Sequence, residues 1–163
     1  MQSIGDTAYQ FDQDGFLQTI GDKSYVYSAV GELLSTSSDG QQTTYNYDGT
    51  ARRTARADEN GTIEYLYGNP ENDYEITAVR RPDGQIDEYC YDPTGILQCI
   101  KRDGQNYYAA CDNLGSPKII TDSSGMIIKV MEYDSYGRLI ADSNLDFIIG
   151  RYFQENHIIS TYS

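Results

Sequence analysis

There is no tryptophan in this chain, one histidine, four prolines and three cysteines, and twelve Lys and Arg stand against twenty-five Asp and Glu. Each shortage closes off a class of function. A formal net charge of −13 rules against a nucleic-acid partner, whose phosphates need clustered Lys and Arg. It weighs equally against an anionic membrane surface. No apolar run approaches the roughly 18 residues of a membrane-spanning helix, so membrane insertion is not expected. The opening stretch, Met1 to Gly15, lacks a basic segment and an apolar core and does not read as a signal peptide. Cys90, Cys99 and Cys111 contain no C-x-x-C pair, and an odd count does not suggest a disulfide framework. Small buried thiols are expected, although Cys90 and Cys99 flank one hairpin and could face each other. His157 has no nucleophile in matching context, which leaves hydrolase chemistry without its parts. No glycine-rich stretch forms a phosphate loop, and no cofactor is expected.

What the chain does have is tyrosine and glycine, 16 and 15 residues of them. Tyrosine suits a half-buried sheet face, where the ring packs and the hydroxyl finds a polar partner. Aligning the aromatic that precedes an Asp, with glycine four residues after the aromatic, exposes a repeat. "YQFDQDGFL" carries Phe11 and Gly15, and "YVYSAVGEL" carries Tyr27 and Gly31. "YNYDGTARR" carries Tyr47, with Ala51 at the glycine position, and "YLYGNPEND" carries Tyr67 with no glycine there. "YCYDPTGIL" has Tyr91 and Gly95, "AACDNLGSP" has Cys111 and Gly115, and "MEYDSYGRL" has Tyr133 and Gly137. The anchors at 11, 27, 47, 67, 91, 111 and 133 lie 16, 20, 20, 24, 20 and 22 residues apart. Seven units cover residues 1–149, and residues 150–163 form a divergent tail.

A second family of turns lies between the anchors: "GDKS" after Ile20, then Asp39-Gly40, Asn60-Gly61, Asp83-Gly84, Asp103-Gly104 and Ser124-Gly125. Such pairs signal hairpins because their central residues tolerate positive φ. Each unit therefore reads as strand, turn, strand, turn. Aromatics at i and i+2, such as Tyr45 and Tyr47 or Tyr89 and Tyr91, share one face of a strand. No stretch has a 3.6-residue period. The expected fold is all-β, about fourteen strands of repetitive antiparallel hairpins. Open sheets of more than about 10 strands tend to curl, so a curled sheet is expected, with edge strands that need partners.

The unit Y-x-Y-D-x-x-G-x-L, with a DG turn between copies, resembles the YD repeat of the RHS family. That family takes in bacterial polymorphic toxins, toxin-complex shell proteins and the animal teneurins. The resemblance spans about residues 8 to 149 and sharpens over "EYLYGNPENDYEITAVRRPDGQIDEYCYDPTGIL" and over Tyr107 to Phe147, which ends in a teneurin-like "DSNLDF". It implies an arc of a β-spiral wall, which in toxins encloses a C-terminal effector and in teneurins scaffolds an adhesion ectodomain. Beyond Gly150 the family pattern lapses, so the plug and autoproteolytic segment of the family are not expected within this chain. The implied role is a non-enzymatic structural segment of a secreted or cell-surface protein, encasing or delivering a toxin domain. Its expected partners are the remainder of such a shell, or neighbouring copies through exposed sheet edges, and toxin cargo or glycan. An adhesion or carbohydrate-binding module, or a self-assembling fibre subunit, stands as the alternative.

Several residues invite a chemical reading. Asp92-Pro93 looks like a self-cleavage pair, but Asp92 falls in register with Asp12, Asp48, Asp112 and Asp134, and proline suits the first central position of a type I turn. "QFDQDGFLQTIG" hints at a calcium loop without its first aspartate or its final glutamate. The pairs Asp12/Asp14 and Asp87/Glu88 read as solvated turn acids. Asn60-Gly61-Thr62 is a glycosylation sequon on a turn. The candidate site residues are therefore the repeat motif itself: Phe11, Gly15, Tyr27, Gly31, Tyr47, Asp48, Tyr67, Tyr91, Asp92, Gly95, Asp112, Gly115, Tyr133, Asp134 and Gly137.

Overall fold

The computed structural model describes residues 2–4 and 7–149. The described residues hold fifteen strands and no helix. They are β1 (Gln2–Ile4), β2 (Thr7–Phe11), β3 (Leu17–Ile20), β4 (Lys23–Tyr27), β5 (Leu33–Ser38), β6 (Gln41–Tyr47), β7 (Arg53–Asp58) and β8 (Gly61–Tyr67). There follow β9 (Ile76–Arg80), β10 (Ile86–Tyr91), β11 (Leu97–Arg102), β12 (Gln105–Cys111), β13 (Pro117–Thr121), β14 (Ile127–Tyr133) and β15 (Leu139–Asp142). The fold is all-β, with the strands antiparallel and ordered as in the chain. The chain divides into two compact units, the first ending at Glu64 and the second beginning at Tyr65.

The repeat becomes geometry at the anchor. Phe11, Tyr27, Tyr47, Tyr91, Cys111 and Tyr133 each follow immediately on a register shift in their strand. Each then faces the first residue of the next strand: Leu17, Leu33, Arg53, Leu97, Pro117 and Leu139. The extra residue sits on the outgoing strand, a β-bulge that increases local twist and re-aims the side chain.

The turn after each of these six anchors is built identically. At the first, the Gly15 N–H donates to the Asp12 carbonyl (3.2 Å) and the Asp12 N–H to the Phe16 carbonyl (2.9 Å). The same pair of bonds recurs at Ser28, Asp48, Asp92, Asp112 and Asp134. The residue two before the outgoing strand must be left-handed: Gly15, Gly31, Gly95, Gly115 and Gly137 have φ between 79° and 89°, and Ala51 sits at 63°. Glycine adopts this freely, whereas alanine is strained there.

Two expected turns take a different form. Asp39-Gly40 and Asp103-Gly104 are two-residue hairpins with positive φ at both positions, as a type I′ turn requires. Asp83-Gly84 and Ser124-Gly125 instead repeat the longer anchor-type turn, opened by Arg81 and Asp122. The fourth anchor, Tyr67, leads into an eight-residue loop, 68–75, pinned by Asn69 and Asn72. That loop accounts for the 24-residue spacing between Tyr67 and Tyr91.

One face of each unit carries the tyrosines. In the first unit Thr36, Tyr45 and Ile63 are buried on it. In the second, Tyr65, Val79, Tyr89, Leu97, Ile100, Ile120 and Met131 form the core, capped by Phe147 and Ile149.

Candidate functional site

The anchors do more than fill space. The Tyr47 hydroxyl donates to the Leu33 carbonyl (3.0 Å), and the Tyr91 hydroxyl to the Ile76 carbonyl (2.6 Å). Cys111, standing where the other units have an aromatic, sends its thiol to the Leu97 carbonyl (3.4 Å). Leu33 faces Tyr27 and Leu97 faces Tyr91, so Tyr47 and Cys111 are each bolted to the residue facing the anchor before them, and Tyr91 to the first residue of β9. The glycines interlock the same units along the rim. A Cβ on Gly31 would meet the Phe16 ring at 2.9 Å, and Phe16 in turn stacks on Tyr27 with ring centroids 5.1 Å apart. Gly115 lies against Ile96 and Gly95 against Glu75 at 3.8 and 3.9 Å in the same sense. Gly15 and Gly137 face open space, so positive φ alone demands glycine there.

The turn acids are structural acceptors. Asp92 Oδ1 receives the Thr94 N–H (2.8 Å), the Thr94 hydroxyl (2.6 Å) and the Ile96 N–H (3.0 Å). Asp48 binds Thr50 and Arg52 in the same way and adds an ion pair to Arg52 Nε at 2.7 Å. Such bonds stabilise the ionised form. Hydroxyls of Thr50, Thr94 and Ser124 hold the Asp48, Asp92 and Asp122 carboxyls below their usual range. The N–H groups of Ser116 and Arg138 do the same for Asp112 and Asp134. Asp92 is thus engaged on both sides, its Oδ2 also receiving Gln98 (3.4 Å). Asp12 is likewise occupied by the Asp14 and Phe16 N–H groups.

Asp87 departs from the expectation of a solvated turn acid. It lies within β10, two residues before Tyr89, so the strand's period of two turns it inward. Its side chain is 1% exposed. Arg102 Nε donates to Asp87 Oδ1 at 3.0 Å and its terminal nitrogen to Oδ2 at 2.5 Å. Arg81 Nε approaches Asp87 at 3.4 Å and its guanidinium also pairs with Asp103. Glu88, by contrast, is exposed and paired with Lys101 at 3.1 Å.

These charges hold down the segment that follows β15. Arg102 donates to the Ile148 carbonyl, and its guanidinium lies 4.1 Å from the centre of the Phe147 ring. Phe147 meets Tyr107 edge to face at 4.8 Å. Lys129, buried in β14, donates to the carbonyls of Asn144 (2.6 Å) and Phe147 (2.8 Å) and pairs with Asp142 at 2.6 Å. Asn144 closes the loop by donating to the Ile128 carbonyl and receiving the Phe147 N–H. Every proton of the Lys129 ammonium has an acceptor, as a buried cation requires. Residues 143–149 are therefore a clasp laid across the tyrosine face of the second unit. Sequence reasoning took Asp87 for a solvated turn acid and passed over Arg102 and Lys129. Their signal is period two: each stands two residues from a buried Tyr89, Ile100 or Met131 on its own strand.

The thiols correct a second expectation. Cys90 is exposed, Cys99 and Cys111 are half-buried, and none of the three is in a disulfide. His157 lies outside the described residues. No group of three or more His, Cys, Asp or Glu among the described residues is arranged to hold a metal ion.

The architecture has close counterparts. The family model Teneurin YD-shell matches residues 1–154. Teneurin-3 of Danio rerio is 34% identical over 149 residues, 88% of this chain and 6% of that protein. Teneurin-m of Drosophila melanogaster is 32% identical over 150 residues, covering 90% of this chain and 6% of that protein. The chain thus spans about one-sixteenth of these relatives' length. Among solved structures, the fold matches the TcdB2-TccC3-TEV crystal structure with a TM-score of 0.58 at 19% identity, over 81% of this chain and 7% of that one. The Photorhabdus luminescens Tc holotoxin pore with the TccC3-D651A mutation matches with a TM-score of 0.55 at 20% identity, over 81% and 7% of the two chains. By its repeat, its bulged turns and the match over nearly all its residues, the chain belongs to the Teneurin YD-shell family.

Proposed function

We propose that this chain is a non-catalytic wall segment of a YD shell in a secreted or cell-surface protein. In that role it would curl with the rest of the shell and shield what the shell encloses, a toxin domain in the bacterial case. The observation that carries the reading is the bolt between successive units, in which Tyr47 and Cys111 each tie to the residue facing the previous anchor and Tyr91 ties to the first residue of β9. Such an arrangement extends indefinitely in one direction and builds no concave catalytic pocket of its own. The motif residues, from Phe11 to Gly137, act here as fasteners of the wall. The remainder of the shell, or a neighbouring copy, would pair along the outer edges of β1 and β15.

The test is protease protection. In a polypeptide that carries this segment within its shell, a passenger domain placed after the shell should resist digestion. Gly31→Val, which forces a side chain against the Phe16 ring at the rim, should expose the passenger. Equal digestion of the passenger in both proteins would overturn the shielding role.

A second reading, an extracellular adhesion or glycan-binding module, is favoured by the solvent-facing rings of Tyr74, Tyr108 and Tyr136, exposed at 67%, 48% and 94%. Exposed aromatic faces can stack on sugars. Glycan-array binding that disappears in Tyr108→Ala or Tyr136→Ala would support it, and an empty array would remove it.

A further inference from the structure

Cys90 and Cys99 form a rung of the second unit that neither the core nor the repeat explains. Cys90 of β10 and Cys99 of β11 are direct partners across the antiparallel ladder. Side chains so placed share a face, with Cβ atoms roughly 4.5–5.5 Å apart. A disulfide requires Cα atoms about 4.4–6.8 Å apart and Cβ atoms about 3.5–4.5 Å apart, so closure asks for a shift of about 1 Å at most. The register shift next to the rung, between Cys90 and Tyr91, supplies backbone latitude for it.

The surroundings leave the pair accessible and without competition. Cys90 lies between Tyr89 and Tyr91, whose side chains turn to the opposite face, and is itself exposed. The next rung on this face of the ladder is the Glu88–Lys101 ion pair, and Tyr108 of β12 stands opposite Cys99. Cys111 is no rival, because it occupies the anchor position on the tyrosine face and its thiol is committed to the Leu97 carbonyl. Burial, and next the Cys90 thiol beside it, push the Cys99 thiol up to about 11. The exposed Cys90 is therefore the sulfur that reacts first, since the thiolate is the nucleophile.

We propose that Cys90 and Cys99 are a redox-active cross-strand dithiol, closed to a disulfide by a small-molecule disulfide such as oxidised glutathione. The Cys90 thiolate attacks one sulfur of the glutathione disulfide, forming a mixed disulfide and releasing one glutathione thiolate. Cys99 then gives up its proton and attacks the Cys90 sulfur, forming the intramolecular bond and releasing the second glutathione. Two protein thiols are oxidised and one glutathione disulfide is reduced to two glutathione thiols, which carry the two protons. The bond closes a short loop through Asp92, Pro93 and Gly95 and would fix the β10–β11 hairpin, whose strands carry Asp87 and Arg102 to the clasp. A closed loop restricts the unfolded chain, so oxidation should stabilise this unit.

The test uses the wild-type chain equilibrated in glutathione buffers from reducing to oxidising, with free thiols trapped by a maleimide and peptides mapped by mass. Oxidation should consume two of the three thiols in a monomer, join the peptides holding Cys90 and Cys99, and raise Tm by about 5 °C. Cys111→Ser should preserve both effects, while Cys99→Ser should leave a glutathione adduct on Cys90 and no rise in Tm. Separate glutathione adducts on both thiols of the wild type, an intermolecular dimer through Cys90, or a bond to Cys111 would each overturn the proposal.

Discussion

The two units are built from one repeat and yet have different interiors. Both use the same bulged anchor, the same turn bonds and the same ladder order. In the first unit, up to Glu64, only Thr36, Tyr45 and Ile63 are buried among the described residues, and the Thr36 hydroxyl has no hydrogen-bond partner. In the second, a continuous apolar layer runs from Tyr65 to Met131 and includes the paired charges Asp87, Arg102 and Lys129. The difference is the clasp. Residues 143–149 belong to no repeat, and they turn a half-wet tyrosine face into a core. The repeat sets register; what lies over its inner face sets stability.

The largest effect should come from removing the charge that binds the clasp. Arg102→Ala leaves buried Asp87 with only the more distant Arg81 and frees the Ile148 carbonyl, and breaking such a buried pair costs about 3–5 kcal/mol. Denaturant unfolding should show this loss in the second unit, with the first unchanged. A loss shared equally by both would erase the contrast between them.

Next come the glycines. Gly31→Val meets both a φ of 88° and the Phe16 ring, so it should cost about 2 kcal/mol or more. Gly137→Val meets only the backbone strain, since nothing lies within 4 Å, and should cost about 1 kcal/mol. Thermal melts of the two variants should rank in that order.

The first unit also holds room for improvement. Ala51→Gly relieves a left-handed alanine, and Thr36→Val removes a buried hydroxyl with no partner. Each should stabilise by about 0.5–1 kcal/mol, read as a raised denaturation midpoint.

The smallest effect is acid sensitivity. The folded state lowers the carboxyls of Asp48, Asp92, Asp112, Asp122 and Asp134 below their unfolded value of 3.8. Their contribution is therefore complete above about pH 4 and is lost as pH falls through the folded values. Four of the five lie in the second unit, so acid should narrow the difference in stability between the units. An Asp112→Asn variant should lose less of its remaining stability between pH 4 and pH 2 than the wild type does.

Much of this was legible beforehand, and its limits have physical causes. The anchors and their turns show in the sequence because a left-handed residue and an Asx acceptor admit few residue types. Dipeptides mislead where turn length is decided by the residues outside them. Asp83-Gly84 and Ser124-Gly125 carry the hairpin signal, yet Arg81 and Asp122 open turns of the anchor type. Charge misleads too: Asp87 has the composition of a turn acid and the position of a core residue. Its burial depends on Arg102, 15 positions away, and on a clasp 60 positions on. No local pattern contains that information. Cys90 was expected inside because thiols usually are, but strand alternation between two tyrosines places it outside.

The most direct test of the account is hydrogen exchange measured residue by residue in the wild type and in Phe147→Ala. In the wild type, the amides of β10 to β12 should exchange more slowly than those of β4 to β6. In Phe147→Ala that excess protection should vanish from Tyr89, Ile100 and Arg102, while β4 to β6 exchange as before. If β10 to β12 keep their protection without Phe147, or if both units lose it together, the clasp is not what gives the second unit its core.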